Sequence, residues 1–378
     1  MSPYTADSIP ERIVSVQRVL VSELKIGMVT ARNVFNAEGK LLLAAGQEVT
    51  ESYIRRLQDL SIYAIYVRNP YFSDVEIPTI IDEETRQSSI QTVKRGLEAL
   101  RNKRADLAVA EFQQSARRIV AEIIRNRQAM IHLTEIRTHD DCTFAHSVDV
   151  CILATLVATA MEYAESRLNE LAVGALMHDV GKLQVGQNLL IKPDKLTDEE
   201  MVQMRRHPWL GFEILRAQRG QLSIPSIHVA LQHHEKYDGT GYPRGLAGTD
   251  IHEFSRIVSM VDVYDAVTSD RPYRKALLPH EAYELMLVSG SQHFDPEILP
   301  IFLGKIALYP VGTAVRLNTG DIGVVTLVEP GWPTRPVVRL IMDKHRRLYP
   351  GEVTLDMRNH LTVFIDQVVD GKSLSNLI

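Results

Sequence analysis

Seven histidine and aspartate residues recur at nearly even intervals through the middle of this 378-residue chain. They are His146, His178, Asp179, His207, His233, His234 and Asp262. With the two adjacent pairs counted as single steps, the intervals are 32, 28, 26 and 28 residues. Such an interval fits one helix plus a loop, so the neighbouring helices of a bundle could direct all seven side chains into one cavity. Histidines scattered over the surface or the core would explain any one of these positions, but not the series.

This set of side chains favours a particular kind of metal site. Seven nitrogen or oxygen ligands without a cysteine indicate two metal ions joined by one bridging carboxylate. They favour iron or manganese over a structural zinc of the thiolate type.

The chain is long enough for two or three domains, and its pattern of apolar and charged residues changes three times. Residues 1–80 alternate short β-like runs with one amphipathic helix, which predicts a small α/β module. Residues 81–130 form a charged helical run that predicts a connector offering a surface for a homodimer, although a solvated helix without a partner fits as well. Residues 131–305 have the pattern of an all-α bundle, and residues 306–378 have β-branched runs that predict a small β domain.

Composition excludes several classes of protein. A net charge of -5 and a pI near 6.2 argue against a nucleic-acid-binding surface, which needs clustered lysine and arginine. The best apolar run, residues 150–161, is shorter than a membrane span requires. Cys142 and Cys151 lie nine positions apart in one predicted helix, too far along it to be bridged, and no secretory signal opens the chain. We therefore expect a cytoplasmic protein.

Two motifs resemble those of a known family. "HDVGK" at residues 178–182 is followed by "HHEKYDGTGYP" at residues 233–243, which fits the pattern HHExxDGxGYP at every fixed position. The chain resembles the HD-GYP branch of the HD phosphohydrolase superfamily over roughly residues 133–302. The resemblance implies an HD-type helical bundle that hydrolyses cyclic di-GMP. The N-terminal module also resembles a domain often found before HD-GYP domains.

The resemblance also implies which residues bind which metal. One ion is expected to take His146, His178, Asp179 and Asp262, and the other Asp179, His207, His233 and His234. Asp179 is then the bridge. A water shared by the two ions is acidified enough to attack phosphorus, so the cyclic dinucleotide opens to linear pGpG, and a second cut gives GMP.

Further residues are predicted to act on the substrate. Lys182 follows the HD pair closely enough to meet a phosphate, although a solvated loop lysine is the alternative. Arg271 and Arg274 match family positions that contact substrate phosphates. Asp265 lies one helical turn after Asp262 and either binds substrate or orients a ligand. We predict Asp179, Lys182 and Asp265 as catalytic residues.

The GYP loop is rich in glycine and should adopt a defined bend. Its Tyr242 is predicted to bind substrate near the mouth of the cleft, although a buried position is the alternative. Glu235, next to the double histidine, would hold an imidazole or form a plain salt bridge. The loop also offers a surface for a protein partner.

Residues 138–150 contain one predicted ligand, His146, and a histidine-aspartate pair that resembles a metal-binding motif without being one. His139-Asp140 looks like a second HD pair but has no partner motif at bundle spacing, so we expect it to lead into the helix that carries His146. Cys142 stands where relatives with three metals have a glutamate, and its presence predicts a two-metal site.

Two other functions stay open at this stage. One is hydrolysis of a different cyclic dinucleotide or of a linear nucleotide. The other is a receptor that binds cyclic di-GMP without cleaving it, which would be expected to have lost ligands that are all present in this chain.

Overall fold

The described residues fall into two units, and all the strands among them belong to one. In the computed structural model the described residues are 16–35, 41–60, 62, 64–68, 79–102, 105–132, 142–190, 192, 194–269 and 276–369. Of these, residues 79–132 and 142–308 form a helical unit, and residues 16–68 and 309–369 form the other. No helix among them combines the length and apolar character needed to cross a membrane.

The N-terminal module surrounds one helix with two antiparallel strand pairs. β1 (Val16–Leu20) pairs with β4 (Ala64–Arg68), and β2 (Val34–Phe35) pairs with β3 (Leu41–Leu43). α1 (Glu51–Asp59) begins after Thr50, whose hydroxyl accepts the backbone N–H of Tyr53 and so caps the helix.

The helical unit contains eleven further helices among the described residues. They are α2 (Glu83–Arg101), α3 (Ala105–Arg125), α4 (Cys142–Ala160), α5 (Glu165–Leu176), α6 (Gln187–Leu190), α7 (Asp198–Met204), α8 (His207–Arg216), α9 (Ile224–Gln232), α10 (Glu253–Thr268), α11 (Pro279–His293) and α12 (Ile298–Leu303). The predicted all-α core is confirmed.

α4 lies at the centre of this bundle. Residues 147–159 of α4 are all buried, and helices α2, α3, α5 and α10 pack around it. A helix that is apolar on every side has no face for water, so α4 can only form inside a protein or a membrane. Cys151, in its middle, is a buried free thiol.

The run predicted as a connector is part of the bundle. It consists of two helices, α2 and α3, which pack on each other and on α4 and α5. Phe112 of α3 is completely buried, and Arg86 of α2 forms a buried ion pair with Asp149 of α4. The alternative of a solvated helix without a partner is therefore wrong, because the apolar face of α3 supplies core that α4 needs.

The turn that carries the HD pair is held against α8 by backbone contact. α5 ends at Leu176, and a short 3-10 helix, Val180–Gln184, follows His178 and Asp179. A β-carbon on Gly181 would lie 1.9 Å from the carbonyl oxygen of His207 and 2.5 Å from the amide nitrogen of Gly211. This close approach fixes the HD pair beside the first residue of α8.

The C-terminal domain is a five-stranded antiparallel sheet, as predicted. Its strands are β5 (Ala314–Leu317), β6 (Ile322–Leu327), β7 (Val337–Met342), β8 (Leu348–Asp356) and β9 (Ile365–Val368), in the order β8-β7-β6-β5-β9. In β7 buried residues alternate with partly exposed ones, which is the pattern of a strand with one face on a core.

Gly181→Ala tests the close approach of the 3-10 helix to α8. The methyl group has only backbone to displace, so we expect a loss of roughly 1–3 kcal/mol or more in the free energy of unfolding, measured in urea. Gly186→Ala is the matched control, because nothing lies within 4 Å of its β-carbon position. Equal effects of the two substitutions would contradict this account of the packing.

Candidate metal centre

The seven histidines and aspartates of the series converge in the helical unit from five places in the chain. His146 lies in α4, Asp262 lies in α10, and His178 and Asp179 lie in the turn after α5. His207 is the first residue of α8, and His233 and His234 directly follow α9. Asp179, His178, His207 and His233 are almost completely buried, whereas His146 and His234 are partly exposed.

One group of ligand atoms surrounds Oδ2 of Asp179. Nε2 of His178 lies 3.3 Å from this oxygen, and Nε2 of His146 lies 3.8 Å from it. Nε2 of His146 is also 3.1 Å from Oδ1 of Asp262. These are the four residues that the family resemblance implies for one metal.

A second group surrounds the other oxygen of the same carboxylate. Nε2 of His207 lies 3.4 Å from Oδ1 of Asp179, and Nε2 of His233 lies 3.7 Å from it. His234 belongs to this group, since its ligand atom lies within 4.8 Å of those of the other three residues. Its Nδ1 is 3.9 Å from Oδ2 of Asp262, which thus stands beside both groups. The two oxygens of Asp179 therefore face different sets of histidines.

Hydrogen bonds to the backbone leave Nε2 of three histidines free for a metal. In each ring, Nδ1 donates its proton to a carbonyl oxygen about one helical turn earlier, so Nε2 keeps a lone pair. The bonds run from His178 to Ala175 (2.8 Å), from His207 to Met204 (2.7 Å) and from His233 to Ala230 (3.0 Å) and Val229 (3.1 Å).

Asp265 performs the same task for His146. Its Oδ2 lies 2.6 Å from Nδ1 of His146, which donates its proton to it, and its side chain is 3% exposed. Of the two roles left open by the sequence, this contact favours orienting a ligand over binding substrate. The contact supports a role for Asp265 through the imidazole of His146. The assignment of Asp265 as a catalytic residue stays a prediction.

These side chains fit divalent cations. With their protons on Nδ1, His207 and His233 turn lone pairs towards each other across 3.2 Å. Oδ1 of Asp179 points between them, is buried, and receives no hydrogen bond within the described part of the chain. Electron pairs gathered at one buried point repel one another, and a cation among them removes the repulsion.

Burial favours the neutral imidazole at three of the histidines. It lowers the pKa of His207 to about 3 and also lowers the pKa values of His146 and His234. His178 differs: burial acts to lower its pKa, but the charge of Asp179 raises it above its usual value. Burial acts to raise the pKa of Asp262, but the neighbouring His146 holds it below its usual value. Neutral imidazole and charged carboxylate are the forms that bind metal.

Lys182 reaches back to the bridging carboxylate. Its ammonium bonds to Oδ2 of Asp179, and its side chain is 29% exposed. Burial acts to raise the pKa of Asp179, but the charges of Lys182 and His178 hold it well below its usual range. The alternative of a solvated loop lysine is wrong, because the ammonium is engaged at the centre.

The GYP loop folds back over the double histidine. The backbone N–H of Tyr242 donates to the carbonyl of His234 at 3.1 Å. A β-carbon on Gly241 would lie 2.3 Å from the backbone nitrogen of Lys236, so only glycine fits this fold. The ring of Tyr242 stacks on the imidazole of His234, with centroids 4.8 Å apart and planes 28° apart. Tyr242 thus lines the centre in a partly buried position.

Glu235 has a role that sequence reasoning missed. Its side chain is almost completely buried, and its two oxygens accept the backbone N–H groups of Arg244 at 2.8 Å and Leu246 at 3.0 Å. It holds the loop rather than an imidazole or a cation. The sequence did contain a signal for this role. A glycine-rich loop leaves backbone N–H groups without partners, and a carboxylate within the motif has two oxygens that can accept them.

Arg205 was also missed. It ends α7 two residues before His207, and its guanidinium lies over the ring of Tyr242, 5.3 Å from the centroid. Its position beside a ligand in the sequence was the only signal.

Some predicted features lie outside the described residues. Arg271, Arg274, the pair His139-Asp140 and the side chain of Cys142 are among them. The structure therefore does not bear on the two arginines as substrate residues or on the cysteine as a marker of metal number.

Comparison with known proteins yields two domain families. Residues 118–298 match the model of the HD domain, and residues 314–377 match that of the KOW domain associated with HD domain. Relatives include "Cyclic di-GMP phosphodiesterase PA4108" of Pseudomonas aeruginosa, which is 42% identical over 207 residues, covering 55% of this chain and 50% of the relative.

Two further relatives match part of the chain. "Cyclic di-GMP phosphodiesterase response regulator RpfG" of Xanthomonas campestris is 36% identical over 180 residues, 47% of this chain and 48% of the relative. "3'3'-cGAMP-specific phosphodiesterase 2" of Vibrio cholerae is 33% identical over 161 residues, 43% of this chain and 31% of the relative. The chain thus spans half or less of the length of these three curated relatives.

Glu235→Gln tests the clamp on the loop. The amide keeps one acceptor but sets an N–H group against a backbone donor, so we expect the opening free energy of the loop to fall by about 1–3 kcal/mol. Hydrogen exchange at the amides of Arg244 and Leu246 measures this directly. Glu213→Gln in α8 is the matched control, since its carboxylate forms only a half-exposed ion pair with Arg216. Unchanged exchange at both amides would rule out the clamp.

Proposed function

Because residues 118–298 form an HD domain with the motifs of the HD-GYP branch, we propose that this chain is a metal-dependent phosphodiesterase that hydrolyses cyclic di-GMP. The observation that carries the proposal is the carboxylate of Asp179, whose two oxygens face separate groups of histidine Nε2 atoms. A carboxylate so placed suits a bridge between two cations, and paired cations suit phosphodiester cleavage.

All seven ligand residues predicted from the sequence are part of the proposal. His146, His178, Asp179 and Asp262 would hold one ion, and Asp179, His207, His233 and His234 the other. When bound, two divalent cations acidify a water and offset charge on the diester. The oxygen and nitrogen ligands favour iron or manganese.

The protein's own side chains would orient these parts. Asp265 holds the ring of His146 so that Nε2 points inwards. Lys182 stands partly exposed beside Asp179, where its ammonium can also meet an oxygen of the diester. The stacked ring of Tyr242 forms a wall of the site and covers one face of the His234 imidazole. Arg271 and Arg274 remain proposed phosphate contacts.

The product would follow from the number of cuts. Opening one diester of the cyclic substrate gives linear pGpG, and cleavage of the second gives GMP. The same centre serves both steps, since each is attack of water on a phosphodiester.

A second candidate function is cleavage of a different cyclic dinucleotide. It is supported by the Vibrio cholerae relative whose name specifies 3'3'-cGAMP. Competition between cyclic di-GMP and 3'3'-cGAMP at equal concentrations discriminates between the two. A receptor without catalysis is the third candidate, and it would bind cyclic di-GMP without releasing any product.

Three further proposals concern the setting of the enzyme. A homodimer through exposed parts of α2 and α3 remains compatible with their packing in the bundle. The exposed side of the GYP loop offers a surface for a protein partner. We expect a cytoplasmic location, where a nucleotide substrate would be met.

The first experiment counts metals and follows the substrate. Protein purified anaerobically should contain two ions of iron or manganese per chain and convert cyclic di-GMP to pGpG or GMP by chromatography. Asp179→Asn should bind fewer ions and lose about 100-fold or more in rate, because the bridge is gone. Asp250→Asn, an exposed aspartate near the GYP loop, is the control. Metal-free protein and absence of product would refute the proposal.

A second experiment tests whether Asp265 positions His146 or binds a metal itself. Asp265→Asn should weaken binding of one ion by about 10–100-fold, because the neutral amide orients the ring of His146 but polarises it less. Titration with Mn²⁺ into metal-free protein measures both sites. An equal loss at both sites would contradict a role through His146.

A further inference from the structure

A cyclic dinucleotide carries two phosphodiesters, and the metal centre accounts for only one of them. The second negative charge needs its own partner when the macrocycle enters the cleft. Among the described residues at the centre, Lys182 is already bonded to Asp179. Arg205 is the other cation there.

Arg205, Tyr242 and His234 form a row of contacts that leads from the surface to the metal centre, with a cation over a ring followed by two stacked rings. The guanidinium of Arg205 lies 5.3 Å from the centroid of the Tyr242 ring. The Tyr242 ring in turn lies 4.8 Å from the imidazole of His234, and the two planes are 28° apart. The cation is thus two contacts away from a metal ligand.

The guanidinium of Arg205 has free hydrogen-bonding capacity. Within the described residues, no carboxylate lies at ion-pair distance from it. Two acids of α7, the helix that Arg205 directly follows, have other partners: Glu200 pairs with Lys192 at 2.6 Å, and Glu199 accepts from Thr197 at 2.9 Å. A cation–π contact uses the charge of the guanidinium and leaves its five N–H donors available to an anion.

We propose that Arg205 binds the phosphate of the cyclic dinucleotide that is not being cleaved. This rests on the proposed function and adds a specificity residue to it. The contact with Tyr242 holds the guanidinium in place, and its fork of donors matches two oxygens of a diester. Arg205 therefore selects substrates that carry a second phosphate over those with only one.

The test compares two substrates and two neighbouring arginines. For Arg205→Gln we expect the KM for cyclic di-GMP to rise roughly tenfold while kcat stays within about twofold. Hydrolysis of bis(p-nitrophenyl) phosphate, which has a single diester, should be unchanged. Arg206→Gln is the matched control, because Arg206 is adjacent, exposed and without an ion pair among the described residues.

Binding without turnover provides an independent measurement. Equilibrium dialysis of cyclic di-GMP with metal-free protein should show the same rise in dissociation constant for Arg205→Gln and none for Arg206→Gln. Arg205→Lys should recover part of the affinity, since it keeps the charge but not the planar fork. In a Tyr242→Leu background the effect of Arg205→Gln should shrink, because the guanidinium is no longer held.

Three results would overturn the inference. They are an unchanged KM in Arg205→Gln, an equal rise in Arg206→Gln, and a loss of bis(p-nitrophenyl) phosphate hydrolysis in Arg205→Gln, which would mean that the residue supports the centre itself. If the wild-type protein hydrolyses bis(p-nitrophenyl) phosphate but leaves cyclic di-GMP intact, the proposed function fails instead.

Discussion

The carboxylate of Asp179 is the point on which the helical unit is organised. Its two oxygens face different sets of imidazoles, and Lys182 bonds to one of them. A buried charge in this position is costly unless its neighbours help to balance it. Helices α4, α5, α8 and α9 each bring a histidine to this point, either from within the helix or from a residue directly after it, and α10 brings the second carboxylate, Asp262.

Much of this arrangement could be predicted because the ligands of a metal site in a helical bundle recur at regular intervals in the sequence. Each ligand needs its own helix or turn, so His146, His207 and Asp262 appear at intervals of a helix and a loop. The GYP motif was equally readable, since Gly241 leaves no room for a side chain. The β domain followed from its β-branched runs broken by glycine and proline.

The features that were missed depend on contacts between distant segments. The charge pattern of α2 and α3 does not show whether they cover a core, because that depends on the apolar surface of α4 against which they pack. Glu235 could pair with a ring, a cation or a backbone, and only the folded loop selects among these. The spacing of Asp265 after Asp262 predicted that it lies near the site. Which group its carboxylate contacts depends on how α10 is rotated against α4.

The contact between Gly181 and His207 makes the distance between two ligands independent of the length of the chain that connects them. The chain leaves the centre after Val185 and returns at His207, and none of the described residues from 186 to 206 is buried. Both ends of this excursion are fixed by backbone against backbone, so its length has little influence on the distance between the ligands it connects. Such a segment can be lengthened, shortened or changed in sequence while the histidines and aspartates at its two ends keep their positions. The surface around the metal centre can therefore vary independently of the geometry of the centre itself.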